Sequence, residues 1–591
     1  MRGLISPLSG IRPYTRSVVI GAINELLNSN NANRLRPVER QILEDYLARF
    51  SRQQPGLDLR RGSFLGETTI NERDMELTFN LDFGMELDMS SSFIPAFDET
   101  HLGTEFWVNL DFSGDIGRHV SYGFYNKVGV VIVSRRFLGM YNTYYENFVL
   151  GGNWNPNEFV NQLIRVYSGS LTHFPFAHRQ RWENPVFFIH DITGRHQAWP
   201  DYPSLASSIQ AELTASFMDD RLIMRTGRIR REWGSMPLGS SLVFNSAARP
   251  FLAAEAEFNP FSWFSFASLT GILEYHNTEG QKESAMNSQN AFSIMMLQFR
   301  FRNRLFLDLF DAVVWPKRFE LGYLLPVTSN FLNQNAIGDF DNMAIGLNLR
   351  AQYPGLGNIW FSLFLDELTP QPNIQNLDRA MFAYQAGINV PLPFLAFSSL
   401  RFSYTRINPY TFTHNRNVNP WYGDLTMETA WVNSGVGLGH YLPPNSDEFL
   451  LQFRTMPTRN LSTVFQYQMI RHGATWGPSA VDGSHLLSEL DPHNRGGGNP
   501  VLWRFFLRDG AYQWMHVIRA GANWRLPNLP VSLFGEAGVV FSYFTNIDAA
   551  ANNADLEPGE RPRPHPFRRI NTPDYPTSTS FIVRLGFRIF R

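Results

Sequence analysis

The sequence predicts an all-β fold: a transmembrane antiparallel β-barrel of about 18 strands, with about 16 also compatible, behind a small N-terminal α-helical segment. Three observations predict it. Long stretches place an apolar residue at every second position, the rhythm of a strand with one greasy and one polar face. No stretch approaches the roughly 18 consecutive apolar residues that a transmembrane helix needs. The 591 residues include 50 Phe, 21 Tyr and 14 Trp, a load that suits aromatic girdles at two membrane interfaces better than a soluble core.

Composition also narrows the partners. A net charge of −2 offers no basic excess for nucleic acid. There is no Cys, which excludes a disulfide framework, a thiolate-held metal and a Cys nucleophile. No cofactor or metal is expected. The first residues, Met1 to Pro7, hold no apolar signal core. A barrel of this kind needs a secretory signal, so we expect that it has been removed.

Two helices open the chain and make up most of a segment at 1–65. Thr15 suits an N-cap, and Val18, Val19, Ala22, Ile23, Leu26 and Leu27 follow as a helical stripe that Asn28 to Asn33 end. Pro37 suits the first turn of the second helix, with Val38, Ile42, Leu43, Tyr46, Leu47 and Phe50 at helical spacing. Such a pair cannot bury its stripes alone. It is expected against a barrel mouth, on the periplasmic side.

The barrel is expected over 66–591, and the period switches to two after about residue 70. Met75, Leu77, Phe79, Leu81, Phe83, Met85, Leu87 and Met89 alternate with Glu76, Thr78, Asn80, Asp82, Gly84, Glu86 and Asp88. That run is far longer than the ordinary soluble strand of about 5–6 residues. Phe106 to Ser113 and Leu297 to Arg302 repeat the pattern, and Gln513 to Trp524 repeats it less cleanly. Short turn signals such as Pro354-Gly355-Leu356-Gly357, Pro391-Leu392-Pro393 and Leu526 to Pro530 look like periplasmic turns. Longer stretches at 142–205, 408–434, 471–500 and 544–578 read as extracellular loops. The chain closes on an amphipathic strand, Phe581 to Phe590, whose aromatic end resembles the signal read by barrel-assembly machinery, with Arg591 after it. The expected location is therefore the outer membrane, as a monomer in outer-membrane lipid.

Catalytic signatures are poor: no G-x-S-x-G, H-E-x-x-H, phosphate-binding loop or EF-hand loop occurs. Glu76, Asp82, Glu86 and Asp88 share one strand face, which a polar lumen explains. His190, His196, His276, His414 and His440 lack regular ligand spacing. No enzyme is read here.

One set of segments is distinctive. Gly227-Arg228-Ile229-Arg230-Arg231-Glu232-Trp233-Gly234, followed by Ser240 to Phe251, resembles a hallmark of the Wzi-type capsule-assembly family. Asp339 to Asn342, Phe364 to Glu367, Tyr404 to His414 and Leu438-Gly439-His440 with Pro443 to Glu448 resemble further elements in the same order, with Phe412 and Pro443 replacing the family's Tyr and Gly. Pro7 to Ser9 and Arg12 to Arg16 resemble its helical N-terminus. The likeness covers about 1–50 and 200–480. It implies a barrel of 18 strands with a lectin-like role in attaching or organising capsular or other surface polysaccharide. Sugars are held by aromatic faces and planar hydrogen-bonding groups. Arg228, Trp233, Asn245, Arg249, Asn342, Tyr410, His414 and His440 are therefore the candidates for glycan contact. Strand-end aromatics and lumen charge explain the same residues without a ligand. A diffusion porin or specific transporter, and an outer-membrane hydrolase, are the competing functions. Large lumen side chains and the helical segment point to a plugged barrel rather than an open pore. Gly227 and Gly234 read as backbone devices at a tight strand–loop junction.

Overall fold

The structure is a computed structural model that describes residues 8–50, 56–93, 99–133, 204–273, 290–367, 381–412, 431–474, 506–545 and 567–590, apart from scattered positions within them, together with Leu4, Arg563 and the short pieces 184–187, 417–418 and 426–427. Its strands close into an antiparallel barrel of 18 staves. In ring order these are β1 (Arg73–Phe93), β2 (Glu99–Ile116), β3 (Val120–Val133), β4 (Ser204–Phe217), β5 (Leu222–Ile229), β6 (Phe251–Phe261), β7 (Phe264–Leu273), β8 (Asn290–Phe301), β9 (Leu305–Pro316), β10 (Asn342–Tyr353), β11 (Gly357–Glu367), β12 (Met381–Pro391), β13 (Ser399–Ile407), β14 (Ser446–Thr458), β15 (Leu461–Gly473), β16 (Tyr512–Arg525), β17 (Val531–Thr545) and β18 (Ser578–Ile589). Closure joins β18 to the upper half of β1, from Thr579↔Phe93 to Ile589↔Phe83. The lower half of β1 pairs instead with a strand at Ser63–Ile70, so regular pairing starts before the expected switch of period. In that strand only Leu65, which is buried, and Phe64, which is exposed, mark the alternation, too few to read ahead of time.

Short turns gather at one end, at 117–119, 218–221, 262–263, 302–304, 354–356, 392–398, 459–460 and 526–530. The opposite end carries the long connections, including 230–250, 317–341, 408–445 and 474–511. The outward face is apolar round the ring. Leu77, Phe106, Leu252, Leu297, Leu309, Leu349, Phe361, Phe402, Phe465, Ile518, Leu533 and Leu585 are all exposed there. Phe261 stacked on Trp263, with Tyr353 and Trp524, rings the short-turn end. A closed cylinder has no unpaired edge, and its greasy outer band needs hydrocarbon, not water. The chain is an outer-membrane β-barrel.

The opening helices are α1 (Arg16–Asn28) and α2 (Pro37–Phe50). Thr15 caps α1 by accepting from the Val18 amide at 3.4 Å. At the start of α2, Glu39 reaches back to the Arg36 amide at 3.0 Å, as in a capping box. Its other oxygen accepts from the Phe397 amide at 3.1 Å, in the turn between β12 and β13. Arg36 donates to the Pro393 and Phe394 carbonyls of that turn. Ser17 bonds Asp220 at 2.8 Å and Arg16 meets Glu76 at 3.5 Å. The helical pair thus lies against the short-turn mouth.

Candidate functional site

The long-loop half of the lumen is filled by the chain itself. The segment 230–250, between β5 and β6, and parts of 408–445, between β13 and β14, fold inward and meet the N-terminal strand Ile11–Arg12. That strand pairs antiparallel with Glu232–Trp233, and the Gly234 amide bonds the Gly10 carbonyl at 2.9 Å. Arg12 adds an ion pair to Glu232 at 3.3 Å and a bond to the Gly234 carbonyl at 3.0 Å. Ser241 hydroxyl donates to the Trp233 carbonyl at 2.6 Å and accepts from the Phe244 amide at 3.2 Å, which folds the segment back on itself. The two inward segments are joined by Asn245 amide to Leu438 carbonyl at 2.8 Å and by Trp431 Nε1 to Val243 carbonyl at 3.0 Å.

Two glycines permit the crossing. Gly234 sits at φ +121°, in the region that disfavours side chains. A Cβ at Gly439 would lie 2.2 Å from the Leu242 carbonyl oxygen.

The plug packs through rings. Phe244, fully buried, lies 5.6–5.7 Å from Trp233, Phe251, Phe292 and Trp431. Phe364 bridges Phe412, at 4.8 Å, to Trp431, at 6.3 Å. One continuous apolar cluster joins these side chains to inward residues from β5 round to β17. Aromatic pairs at these separations add to the burial of large apolar area.

Polar locks hold the plug to the wall. Asp308 on β9 accepts from the Ser235 amide at 2.7 Å, the Ser235 hydroxyl at 2.9 Å and Gln298 at 3.1 Å, with Asn348 at 3.3 Å. The Phe412 amide bonds Asp366 at 2.6 Å. On the other side Arg225 pairs with Glu255 at 2.5 Å and Glu257 at 3.2 Å, while Arg231, on the inward segment, pairs with Glu255 and with Glu212 at 3.0 Å. Burial alone would lower the Arg231 pKa, but Glu255 and Glu212 outweigh it and hold it above its ordinary value. Below the plug, toward the short turns, the lumen stays polar. A cavity of about 630 Å³ there is lined by Arg454, Asn523, Glu536, Arg584 and Arg588 beside Phe534.

The glycan candidates fall in distinct places. Trp233 and Asn245 are buried within the plug, and Asn342 is buried at the start of β10. His440 is buried and stacked on Tyr441 at 4.3 Å, with Nδ1 accepting from the Leu442 amide at 3.3 Å. Its Nε2 has no hydrogen-bond partner among the described residues. Burial, helped by the nearby Arg401 charge, pushes its pKa down to about 3, so the ring is neutral. Arg228 lies on the outward face instead, sharing it with exposed Leu252, its Cα partner across the pair. Arg231, three residues on, turns inward and pairs with the lumen acids Glu212 and Glu255. Arg249, Tyr410 and His414 lie outside the described residues. The structure thus brings Trp233 and Asn245 together in one plug, with His440 on its other inward segment. Sequence reasoning missed Phe244, Glu255 and Asp308, which serve the plug and wall. Only an acidic residue interrupting an apolar strand face, as Asp308 does between Phe306 and Phe310, could have flagged one of them.

No protein-family model matches the sequence, and no characterised protein sequence matches it. Among solved structures the chain is similar to Wzi of Escherichia coli, described as an outer-membrane protein involved in group 1 capsule assembly and a carbohydrate-binding β-barrel. That likeness covers 99% of this chain and 95% of that one at 10% identity, with a TM-score of 0.47. It is also similar to OccAB2 of Acinetobacter baumannii, over 86% and 97% of the two chains at 8% identity and a TM-score of 0.40. OprD of Pseudomonas aeruginosa matches over 86% and 95% at 9% identity and a TM-score of 0.36.

Proposed function

We propose that this barrel binds a surface polysaccharide, capsular or similar, and helps hold it at the cell surface, without catalysing a reaction. The filled lumen carries the reading. A diffusion pore needs a continuous aqueous path. Here Phe244, Trp233, Trp431 and Phe412 occupy the lumen at the long-loop end, locked to the wall through Asp308 and Asp366. A sealed barrel leaves its loops as the working surface. Arg249, Tyr410 and His414 keep the candidacy their residue types give them, while Trp233, Asn245 and His440 support the loops from within. The capsule role named for Wzi agrees with this reading, which rests on the plug.

The same reading puts segment 1–65 at the periplasmic mouth, since it grips the short turns. It makes the chain a monomer whose last strand, ending at Phe590, is recognised by the assembly machinery.

The test has two arms. Purified barrel should retain the producing cell's own polymer in a pull-down, and deletion should release polymer from the surface while synthesis continues. In planar bilayers it should give no large steady conductance. Large open channels, or surface polymer unchanged by deletion, would sink the proposal.

A further inference from the structure

A second cavity, of about 370 Å³, lies where the N-terminal segment, the plug and the wall meet, on the short-turn side. Leu8, Tyr14 and Leu26 reach it from the N-terminal segment and Met236 from the plug. Arg350 and Gln352 reach it from the inward face of β10. Leu392 and Leu395 close it, in the turn to which Glu39 of α2 is bonded.

Two polar side chains in this cavity are left unmatched. The Arg350 guanidinium covers the Phe306 ring at 4.0 Å, a contact that uses its face and leaves its N–H edge. It makes no hydrogen bond or ion pair among the described residues, and its Nε is buried. Gln352 is 8% exposed, and its side-chain amide has no hydrogen-bond partner among them either. Buried donors without acceptors are costly, so such a pair calls for a ligand acceptor. The carboxylates around the cavity are engaged elsewhere. Asp308 takes up Ser235, Gln298 and Asn348, and Glu39 takes up the Arg36 and Phe397 amides. Glu232 is held by Arg12 and the Gly239 amide. The N-terminal segment itself brings no Asp or Glu before Glu25.

We propose that this cavity binds a single-chain amphiphile with a carboxylate head, such as a medium-chain fatty acid. A guanidinium fork matches a carboxylate in a two-point contact, and the Gln352 amide adds a third donor. The chain lies against Leu8, Leu26, Leu392 and Leu395, where burial rewards it. One unmatched guanidinium balances one negative charge, which favours a carboxylate over a doubly charged phosphate monoester. The volume falls at the low end of the usual ligand range of about 300–1,000 Å³, which suits one chain and not a multi-acyl lipid. A sugar would leave the leucine wall without an apolar partner. Because three parts of the chain line the cavity, the bound amphiphile pins the N-terminal segment to the plug and the mouth.

The test is calorimetric titration of the whole detergent-solubilised barrel with octanoate. Acetate, which lacks the chain, and octanol, which lacks the charge, should each bind at least about tenfold more weakly. Arg350→Gln should weaken octanoate by at least about tenfold, given the strength of charge-assisted hydrogen bonds, and Arg350→Lys should recover part of the loss. Arg118→Gln, an exposed arginine in another turn of the same mouth, should bind as the parent does. Octanoate should also slow deuterium uptake over 8–14 and 234–236 in the parent but not in Arg350→Gln. Absence of octanoate binding, or equal binding of octanol by the parent, would overturn the inference without any variant. So would unchanged octanoate affinity in an Arg350→Gln barrel that still resists heat in detergent, or tighter binding of octyl phosphate than of octanoate. Failure here leaves the polysaccharide reading standing, because that reading depends on the filled lumen and not on this cavity.

Discussion

The two halves of the lumen are built by different rules, although the same staves line both. On β8 the inward residues Phe292, Ile294 and Met296 are apolar toward the long loops, and Gln298 and Arg300 follow toward the short turns. On β16 Met515 and Val517 give way to Arg519 and Asn523, and on β17 Val540 gives way to Glu536. The outward face of these three staves stays largely apolar from end to end. The difference teaches that the inward face answers to whatever stands opposite it: rings of the plug above, water and counter-charges below.

That contrast can be broken at several points. The largest effect is expected for Phe244→Ala. It removes the ring at the centre of the plug, and large-to-small changes in such cores cost about 3–5 kcal/mol. Denaturant unfolding in detergent measures it, and bilayer conductance should rise. A loss below about 1 kcal/mol would mean that the upper half is not a packed core.

Next comes Asp308→Ala, which strands the Ser235 amide and the Gln298 amide group. Buried unsatisfied donors cost about 1–3 kcal/mol each. Proteolysis inside 230–250 should quicken, with barrel strands unaffected. Ser241→Ala should cost about 1 kcal/mol, the net value of a typical hydrogen bond, in the same assay.

The most local effect is one of pH. The folded pKa of His440, about 3, lies below its ordinary value of 6.5. The unfolded segment therefore binds the proton more readily, so the stability that neutral His440 contributes is complete above pH 6.5 and is lost as pH falls toward 3. Deuterium uptake over 438–442 should rise through that window. His440→Gln should flatten the response, and an unaltered profile would remove His440 from the plug's pH dependence.

Much of the fold was legible beforehand, for reasons the contrast explains. The hydrocarbon band imposes one rule on every stave, so β1 and β18 declared themselves by period alone. The helices announced their ends through Thr15 and Pro37, which are local signals. The stretch Gln513 to Trp524 read less cleanly because Met515 and Val517 face the plug rather than water. A plugged barrel was expected, but which residues build the plug was not legible. Its contacts join residues far apart in the chain, such as Trp431 to Val243 and Ile11 to Trp233, and no local spacing encodes them. The resemblance did single out the segments that form it, but residue type could not tell a buried Trp233 from an exposed one.

One detail couples the two mouths of the barrel. The leading segment is fastened at both ends: Ile11–Arg12 is zipped to Glu232–Trp233, while α1 and α2 clasp the turns below. It acts as a tether threaded through the cylinder. The helices cannot be pulled away without drawing on the Glu232–Trp233 pairing overhead.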